Sequence, residues 1–393
     1  MVKTRGADRI RSFGTSIFTE ISRLAAAHGA VNLGQGFPDF PGPDFLKEAA
    51  ARHIREDRNQ YAQSHGVPRL RTAIAERWAR SYGRRVDPET EVTIASGATE
   101  LLCDAMLAFV NPGDEVVIFE PFYDSYVPDT LLAGGVPRFV PLRPPDWSFD
   151  PAQLRAAFGP RTRLVVVNTP HNPTGKVFDE GELALVAELC ERHDALALTD
   201  EVYSEIVFDG ARHVPLATLP GMWERTLTLD STGKTFSMTG WKVGYAVGPA
   251  DLTAAIRSVH QFVTFATVTP LQEAMADAME HAVRVGYYDE LRAAYARRRT
   301  ALREALEGAG LPCLPIRGSY FLLADISACG FPDDAAFCRH LVTEVGVAAI
   351  PPSAFYAARE RAPLLARFCF AKREETIAAA AKKMGTRTLF GRP

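Results

Sequence analysis

The chain has 393 residues, of which 47% are hydrophobic, and a formal net charge of -3 at pH 7. A chain of this length can bury a large core and is long for one domain, so two domains are expected. Its weakly acidic balance offers no attraction for nucleic acid or an anionic membrane, and we expect neither as a partner.

The first 45 residues contain Pro38, Pro41 and Pro43 in a short space, which is typical of an extended segment. The opening residues lack the apolar segment of a secretory signal, and no stretch approaches about 18 uncharged apolar residues. Six cysteines are scattered without C-x-x-C pairs, as in proteins of a reducing compartment. We therefore expect a soluble, cytoplasmic protein.

Strand-like and helix-like segments alternate from about residue 91 to about residue 260, which predicts a mainly parallel sheet covered by helices. The predicted strands are 91–96, 114–120, 137–142, 163–167, 195–200, 226–230 and 243–248, with a helix over 99–110. Beyond about residue 285 the pattern changes to a long basic helix over 288–308 and strands at 318–324 and 345–350. This change predicts a second, smaller domain.

One lysine near the end of the alternating region is surrounded by small, hydroxyl-bearing and glycine residues, in the segment from Ser231 to Lys242 (Ser-Thr-Gly-Lys-Thr-Phe-Ser-Met-Thr-Gly-Trp-Lys). Predicted strands on both sides place Lys234 on a tight loop rather than on an open helix face. A nucleophilic lysine must be neutral part of the time, which burial or a cation such as Lys242 favours. The segment alone fits a solvated surface lysine equally well.

Two further segments combine a buried-strand pattern with polar residues at its end. Residues 165–175 lead into the turn Asn172-Pro-Thr-Gly, and residues 195–203 end in Asp200-Glu-Val-Tyr203. With the Lys234 segment, and in this order, they resemble the pyridoxal-phosphate aminotransferases of fold type I. Three weaker matches, at 32–40, 120–126 and 367–370, resemble the kynurenine, glutamine and methionine aminotransferase branch of that family.

The resemblance spans nearly the whole chain and implies an α/β fold: a three-layer αβα large domain with a mainly parallel sheet, plus a smaller α+β domain. It implies an arm over 1–45 that packs against the small domain and a partner subunit. The large cofactor domain would cover 46–284 and the small domain 285–393. It also implies a homodimer with shared active sites.

The same resemblance implies pyridoxal 5'-phosphate as the cofactor, bonded to Lys234. Asp200 would hold the proton of the ring nitrogen through a charge-assisted hydrogen bond, although an isolated acid there would merely cap a loop. Tyr203 and Asn172 would donate to the phenolic oxygen, and Tyr123 would lie against the ring face. Lys234, Asp200 and Tyr203 are thus the predicted catalytic residues.

The phosphate would lie at the N-terminus of the predicted helix, where backbone N–H groups are free. Gly97, Ala98 and Thr99 form this end, and Ser231 and Lys242 would add donors. Tyr61 resembles the family tyrosine that reaches the phosphate across the dimer interface.

Arg367 is the predicted partner of the substrate carboxylate, because its planar guanidinium group can make two parallel hydrogen bonds that also orient the substrate. The Gly34 N–H and Asn172 would support the same carboxylate, and Phe265 would lie near the substrate side chain. Further candidates for an apolar pocket are Phe13, Phe18, Phe37 and Tyr320. Lys234 would move the proton at the substrate Cα.

We therefore expect a ping-pong aminotransferase acting on an L-amino acid, of the apolar, aromatic, methionine or glutamine type, and a 2-oxo acid. The alternatives are a carbon-sulfur β-lyase acting on cysteine conjugates, an N-succinyldiaminopimelate aminotransferase, and the ligand-sensing module of a transcription regulator. The last normally carries a DNA-binding domain, and the first 45 residues show no recognition-helix pattern. The nine histidines lack zinc-motif spacing, so no metal is expected.

Overall fold

The structure, a computed structural model, describes residues 6–386 and 389–390. Residues 1–5, 387–388 and 391–393 of the predicted arm and small domain lie outside this part. The strands are β1 (Val31–Asn32), β2 (Val92–Ala95), β3 (Glu115–Glu120), β4 (Val136–Pro141), β5 (Thr162–Asn168), β6 (Leu196–Asp200), β7 (Thr226–Ser231), β8 (Gly244–Val247), β9 (Phe321–Asp325), β10 (Val347–Ala348) and β11 (Leu365–Cys369). The α-helices are α1 (Ile17–Ala27), α2 (Asp44–Arg55), α3 (Pro68–Tyr82), α4 (Ala98–Phe109), α5 (Tyr126–Leu132), α6 (Pro151–Ala157), α7 (Glu180–His193), α8 (Thr232–Thr235), α9 (Ala250–Val263), α10 (Thr269–Arg284), α11 (Tyr287–Gly308), α12 (Asp334–His340) and α13 (Glu374–Thr386).

Seven strands form one sheet in the order β2-β8-β7-β6-β5-β3-β4. β8 runs antiparallel to both of its neighbours, β2 and β7, and all other neighbouring pairs in this sheet are parallel. This arrangement confirms the predicted α/β class with a mainly parallel sheet. The carboxyl ends of β5, β6 and β7 meet at one edge, which is where open α/β sheets bind their ligands.

Strand β3 shows how the sheet comes to be covered on both faces. Val116 and Ile118 pack in the apolar cluster that includes α4, whereas Val117 and Phe119 pack in the cluster that includes α7. Alternate side chains of a strand face opposite sides, so a continuous apolar run has two buried faces. Each fully buried valine or phenylalanine contributes about 1.5–3 kcal/mol to stability relative to an exposed one.

The C-terminal part builds a separate core around α11, α13 and the antiparallel pair β9 and β11. The short strand β1 pairs in parallel with β10, which ties the N-terminal segment to this part of the chain. The register of the β9 and β11 pair sets Arg367 opposite Leu323. Arg367 therefore projects from a strand held on one side by another strand.

Three local predictions differ from the structure. Lys234 lies on the one-turn helix α8 rather than on an irregular loop, and Ser231 caps that turn by accepting from the Gly233 N–H at 3.3 Å. The strand predicted over 345–350 is reduced to the two residues of β10, because 341–345 form a π-helical turn that ends at Gly346. The strand predicted over 318–324 begins at Phe321, after Ser319 has taken a left-handed conformation (φ 60).

Within the residues that the structure describes, no helix has both the length and the apolarity to cross a membrane. All six cysteines are free thiols.

Candidate active site

Two adjoining cavities lie at the carboxyl edge of the sheet. The first is lined by all the cofactor residues that the sequence predicts within one chain except Tyr61, namely Gly97, Ala98, Thr99, Tyr123, Asn172, Asp200, Tyr203, Ser231, Lys234 and Lys242. The second shares four of them and adds residues from the N-terminal segment and from β9 and β11, namely Phe18, Gln35, Gly36, Phe37, Phe321 and Arg367. The four shared residues, which line both cavities, are Tyr123, Asn172, Tyr203 and Lys234.

Lys234 extends from α8 into both cavities. Its Nζ lies 5.7 Å from the ring centroids of Tyr203 and Tyr320. Burial, with smaller contributions from Lys242 and Arg367, lowers the pKa of Lys234 to about 8, and the Asp200 charge opposes this shift. A substantial fraction of Lys234 is therefore neutral near pH 8, as a nucleophile or a base requires.

This pKa makes a testable prediction for the cofactor-free protein. A lysine with a lowered pKa loses its proton at lower pH, so acetic anhydride should label Lys234 with a midpoint near pH 8. Exposed lysines should be labelled with a midpoint near their usual pKa of about 10.4. Mass spectrometry of peptides across a pH series measures both, and equal midpoints would contradict the prediction. Asp200→Asn should move the Lys234 midpoint lower, because the Asp200 charge raises the pKa of Lys234.

Asp200 is the last residue of β6 and is buried. The Tyr126 hydroxyl donates to its Oδ2 at 2.6 Å. Burial raises the pKa of Asp200 to about 6, against the opposing effects of Tyr126, the Val202 N–H and Lys234. A buried carboxylate is costly without a cation or several donors, so this residue fits a protonated ring nitrogen in the cavity.

Asn172 is fixed from two sides. Its backbone N–H donates to Asn168 Oδ1 at 2.7 Å, and its Oδ1 accepts from Arg367 Nη1 at 2.8 Å. The amide oxygen of Asn172 is thus occupied, which leaves its NH2 group as the donor, as binding to a phenolic oxygen requires. Asn168 itself donates to the Asp200 carbonyl at 2.8 Å and so holds the ends of β5 and β6 together.

Arg367 is fully buried and belongs to none of the ion pairs among the described residues, although the Asp124 charge acts on it from a longer distance. Its Nη2 donates to the Gly34 carbonyl at 3.0 Å, and its Nε has no partner among the described residues. The rings of Phe18, Phe321 and Phe355 surround the guanidinium at 4.1–5.2 Å. Burial lowers the pKa of Arg367 to about 10, so the group stays charged near neutral pH. A buried cation without an acid fits a ligand carboxylate.

Two predicted substrate residues do not occupy the expected positions. The Gly34 N–H donates to Asn32 Oδ1 at 3.0 Å and is not available to a ligand; the Gly34 carbonyl instead holds Arg367. Phe265 is 49% exposed and packs edge-on against Tyr61 at 5.1 Å, outside both cavities. Tyr61 is 83% exposed and also lies outside them. Phe265 and Tyr61 share a surface of the chain rather than a pocket.

The end of the first cavity that would hold a phosphate depends on a glycine. Gly97 precedes α4 with a left-handed φ of 84. A Cβ at this position would lie 3.0 Å from Lys242 Nζ, so a larger residue would crowd that amine. Free backbone N–H groups at the start of α4, the Ser231 hydroxyl and Lys242 together make a site that suits a phosphate.

Sequence reasoning missed Tyr126 and Asn168, which position Asp200 and Asn172. Each had a signal: Tyr126 lies three residues after Tyr123, and Asn168 ends a buried strand pattern.

Of the other aromatic candidates, Phe18 and Phe37 line the second cavity, whereas Phe13 lines a separate surface cavity. Tyr320 packs behind Tyr203 with ring centroids 5.0 Å apart.

Comparisons with known proteins agree with this geometry. The sequence model of the family described as aminotransferase class I and II matches residues 29–384. The chain is 44% identical to the methionine aminotransferase of Escherichia coli over 376 residues, 96% of this chain and 97% of that protein. It is 40% identical to human kynurenine–oxoglutarate transaminase 1 over 415 residues, 98% of each chain.

Solved structures are equally similar. An Escherichia coli protein identified as a methionine aminotransferase matches with a TM-score of 0.93 and 43% identity, over 98% of this chain and 100% of that one. The N-succinyldiaminopimelate aminotransferase of Mycobacterium tuberculosis also gives a TM-score of 0.93 at 43% identity, over 97% of this chain and 99% of that one.

Proposed function

This chain belongs to the class I and II aminotransferases, and we propose that its preferred amino donors are monocarboxylic L-amino acids with an apolar, aromatic, methionine-like or glutamine-like side chain. The acceptor is a 2-oxo acid. The enzyme depends on pyridoxal 5'-phosphate, as its family does. When bound, the cofactor supplies an aldehyde that bonds to amines and a ring that accepts the electrons released at the substrate Cα.

The observation that carries the proposal is the buried guanidinium of Arg367 without an acidic partner in the described chain, in the cavity that Lys234 also lines. Arg367 binds the substrate carboxylate and thereby fixes the direction of the Cα–H bond. Lys234 Nζ, neutral for part of the time, removes the Cα proton. Asp200 holds a proton on the ring nitrogen, and the Tyr203 hydroxyl and the Asn172 NH2 group bind the phenolic oxygen.

The lining of the second cavity supports the substrate class. Phe18, Phe37 and Phe321 offer apolar surface, and Gln35 adds an amide. Among the described residues that line this cavity, Lys234 and Arg367 are the cations, and both already have a role. A second substrate carboxylate would therefore lack a charged partner there.

The test is a substrate panel with the purified holoenzyme. Methionine, glutamine, phenylalanine and kynurenine should each convert the bound cofactor to its amine form, followed in the visible spectrum, and the 2-oxo acid should restore it. Turnover of N-succinyldiaminopimelate alone would contradict the proposed substrate class. Release of pyruvate and ammonia from a cysteine conjugate would reveal the β-lyase alternative.

Replacement of Arg367 by alanine should lower kcat/KM for amino acids by about 100-fold to 1,000-fold, because a desolvated charge-assisted pair is lost. The dissociation constant of pyridoxal phosphate should change much less, since Arg367 lies in the second cavity and affects the cofactor residues only through its hydrogen bond to Asn172. Arg367→Lys is the matched control: it keeps the charge without the fork and should recover only part of the loss. Steady-state kinetics with a cofactor titration measure both, and unchanged kinetics would contradict this role.

We further propose a homodimer in which Tyr61 reaches the phosphate of the partner subunit. The support is an apolar surface formed by Tyr61 and the segment 262–268. Phe262 is 86% exposed and Val268 55% exposed, and both belong to this segment. An exposed apolar surface of this kind is typical of a protein interface.

A mixing experiment tests the sharing of sites. Tyr61→Ala and Lys234→Ala homodimers should each have low activity, Tyr61→Ala because its phosphate binding is weakened. If each site takes Lys234 from one subunit and Tyr61 from the other, both substitutions of a mixed dimer lie in the same site. The other site is then intact. Refolding an equimolar mixture should thus restore about a quarter of wild-type activity. No gain on mixing, with mixed dimers present in native mass spectra, would contradict the sharing.

We also propose the division into an arm over 1–45, a large domain over 46–284 and a small domain over 285–393. The pairing of β1 with β10 and the separate C-terminal core support it. The six free thiols support a reducing, cytoplasmic location.

A further inference from the structure

His260, a fully buried residue of α9, connects three separate parts of the chain. Its Nδ1 lies 2.6 Å from Glu100 Oε1, and its Nε2 lies 2.8 Å from the Ser64 carbonyl oxygen. The other carboxylate oxygen of Glu100 accepts from the Ser96 N–H. The Thr264 hydroxyl also donates to Glu100.

Each connected part leads to a proposed binding group. Ser96 immediately precedes Gly97 and the first turn of α4, which form the phosphate end of the cavity. Ser64 lies three residues after Tyr61. The Ser96 hydroxyl also bonds to the Thr267 hydroxyl at 2.8 Å, in the segment of the exposed apolar surface. The spacing between the phosphate turn and that surface is therefore set through this cluster.

In the cluster of Glu100, Asp104 and His260, protons rather than a metal ion balance the negative charges of the carboxylates. Glu100, Asp104 and His260 bring potential ligand atoms within 4.8 Å of one another. Both ring nitrogens of His260 face oxygen acceptors, so both carry protons and neither offers a lone pair. Although burial alone lowers the pKa of His260, Glu100 outweighs it and the pKa is raised. Burial raises the pKa of Asp104 to about 7, so Asp104 is largely uncharged at slightly acidic pH.

We propose that His260 is a positioning residue for the cofactor phosphate: through Glu100 it holds the Ser96–Gly97 turn of its own site, and through Ser64 it holds the segment from which Tyr61 reaches the partner subunit's phosphate. The proposal rests on the proposed cofactor site. His260 lines neither active-site cavity, so it acts through the backbone groups that it holds.

The experiment compares pyridoxal phosphate with pyridoxal, which lacks the phosphate but can still bond to Lys234. In His260→Ala, the dissociation constant of pyridoxal phosphate should rise about tenfold, as expected for the loss of a charge-assisted hydrogen bond. The dissociation constant of pyridoxal should stay within about twofold. An equal loss for both, or no loss for either, would overturn the proposal. His53→Ala is the matched control, because it removes another buried histidine that bonds to a carboxylate, Asp277, at 2.7 Å.

A second pair of variants decides the matter if His260→Ala does not fold. In Glu100→Gln, the amide oxygen can accept from Ser96 while the NH2 group donates to a neutral His260, so the preference for pyridoxal phosphate should persist. Glu100→Ala removes both contacts and should lose about tenfold of this preference. Equal behaviour of the two variants would overturn the proposal. Failure of the proposed function is recognised separately: wild-type protein would then show no preference for pyridoxal phosphate.

Discussion

Replacement of Lys234 by alanine should lower the rate of transamination by at least about 10,000-fold, because we propose that this one side chain supplies both the covalent attachment and the proton transfer at Cα. No nearby amine of the described chain can take over both tasks: Lys242 lies at the phosphate end, and its Nζ is 3.0 Å from the Cβ position of Gly97. The variant should also lose the visible absorbance of the covalently attached cofactor. Steady-state assays and absorbance spectra of the purified variant measure these two effects.

Lys234→Arg provides the matched control, since it keeps a cation in the site without an amine that bonds to an aldehyde. It should be as inactive as the alanine variant if attachment and proton transfer are the causes of the loss. In the wild-type protein, borohydride reduction followed by peptide mapping should place the cofactor label on Lys234. A label on another lysine, or turnover by Lys234→Ala at the wild-type rate, would show that the assignment is wrong.

Replacement of Asp200 by alanine should lower kcat by about 1,000-fold, because the ring nitrogen would no longer keep its proton and the ring would accept electrons poorly. The size follows from what a preorganised charged group contributes in a site that excludes water. Asp200 is suited to this role because burial strengthens its interaction with a cation, while Tyr126 fixes its orientation at 2.6 Å. Single-turnover measurements with one amino acid separate this chemical step from binding.

Three variants distinguish charge from shape at this position. Asp200→Asn keeps the shape and should be nearly as slow as the alanine variant, whereas Asp200→Glu should keep part of the rate. Tyr126→Phe leaves the carboxylate in place and removes one hydrogen bond, which should cost only about fivefold. If Asp200→Asn kept the wild-type kcat, the carboxylate would have no part in the chemistry.

The fold and the cofactor cavity were largely predictable because their signals are local. Continuous apolar runs such as β3 and β5 identify strands that are buried on both faces, and polar residues at their ends identify the ligand-binding edge. Gly97, Asn172, Asp200 and Lys234 lie at or just after such ends, and all four line the first cavity. The helical turn that carries Lys234 was less predictable, since the helix α8 has only four residues and is too short to show a helical pattern in the sequence.

The prediction for the Gly34 N–H failed, and that for Phe265 is not met within one chain, for a common reason. Whether a backbone N–H is free, or an aromatic ring lies in a pocket, depends on neighbours that are distant in sequence. The Gly34 N–H donates to Asn32, and the Gly34 carbonyl accepts from Arg367, which lies 333 positions away in the sequence. The Phe265 ring packs against the Tyr61 ring at an outer surface of the chain.

The sequence by itself therefore determined the fold class, the family, the cofactor and most of the residues that line the cofactor cavity, because strand patterns and short motifs express them within a few neighbouring residues. Only the tertiary structure decided which side chains hold the chemical groups in place. Tyr126 on Asp200, Asn168 on Asn172 and His260 between Glu100 and Ser64 are contacts between remote segments. Their hydrogen bonds depend on how helices and strands pack, and no local pattern specifies that packing.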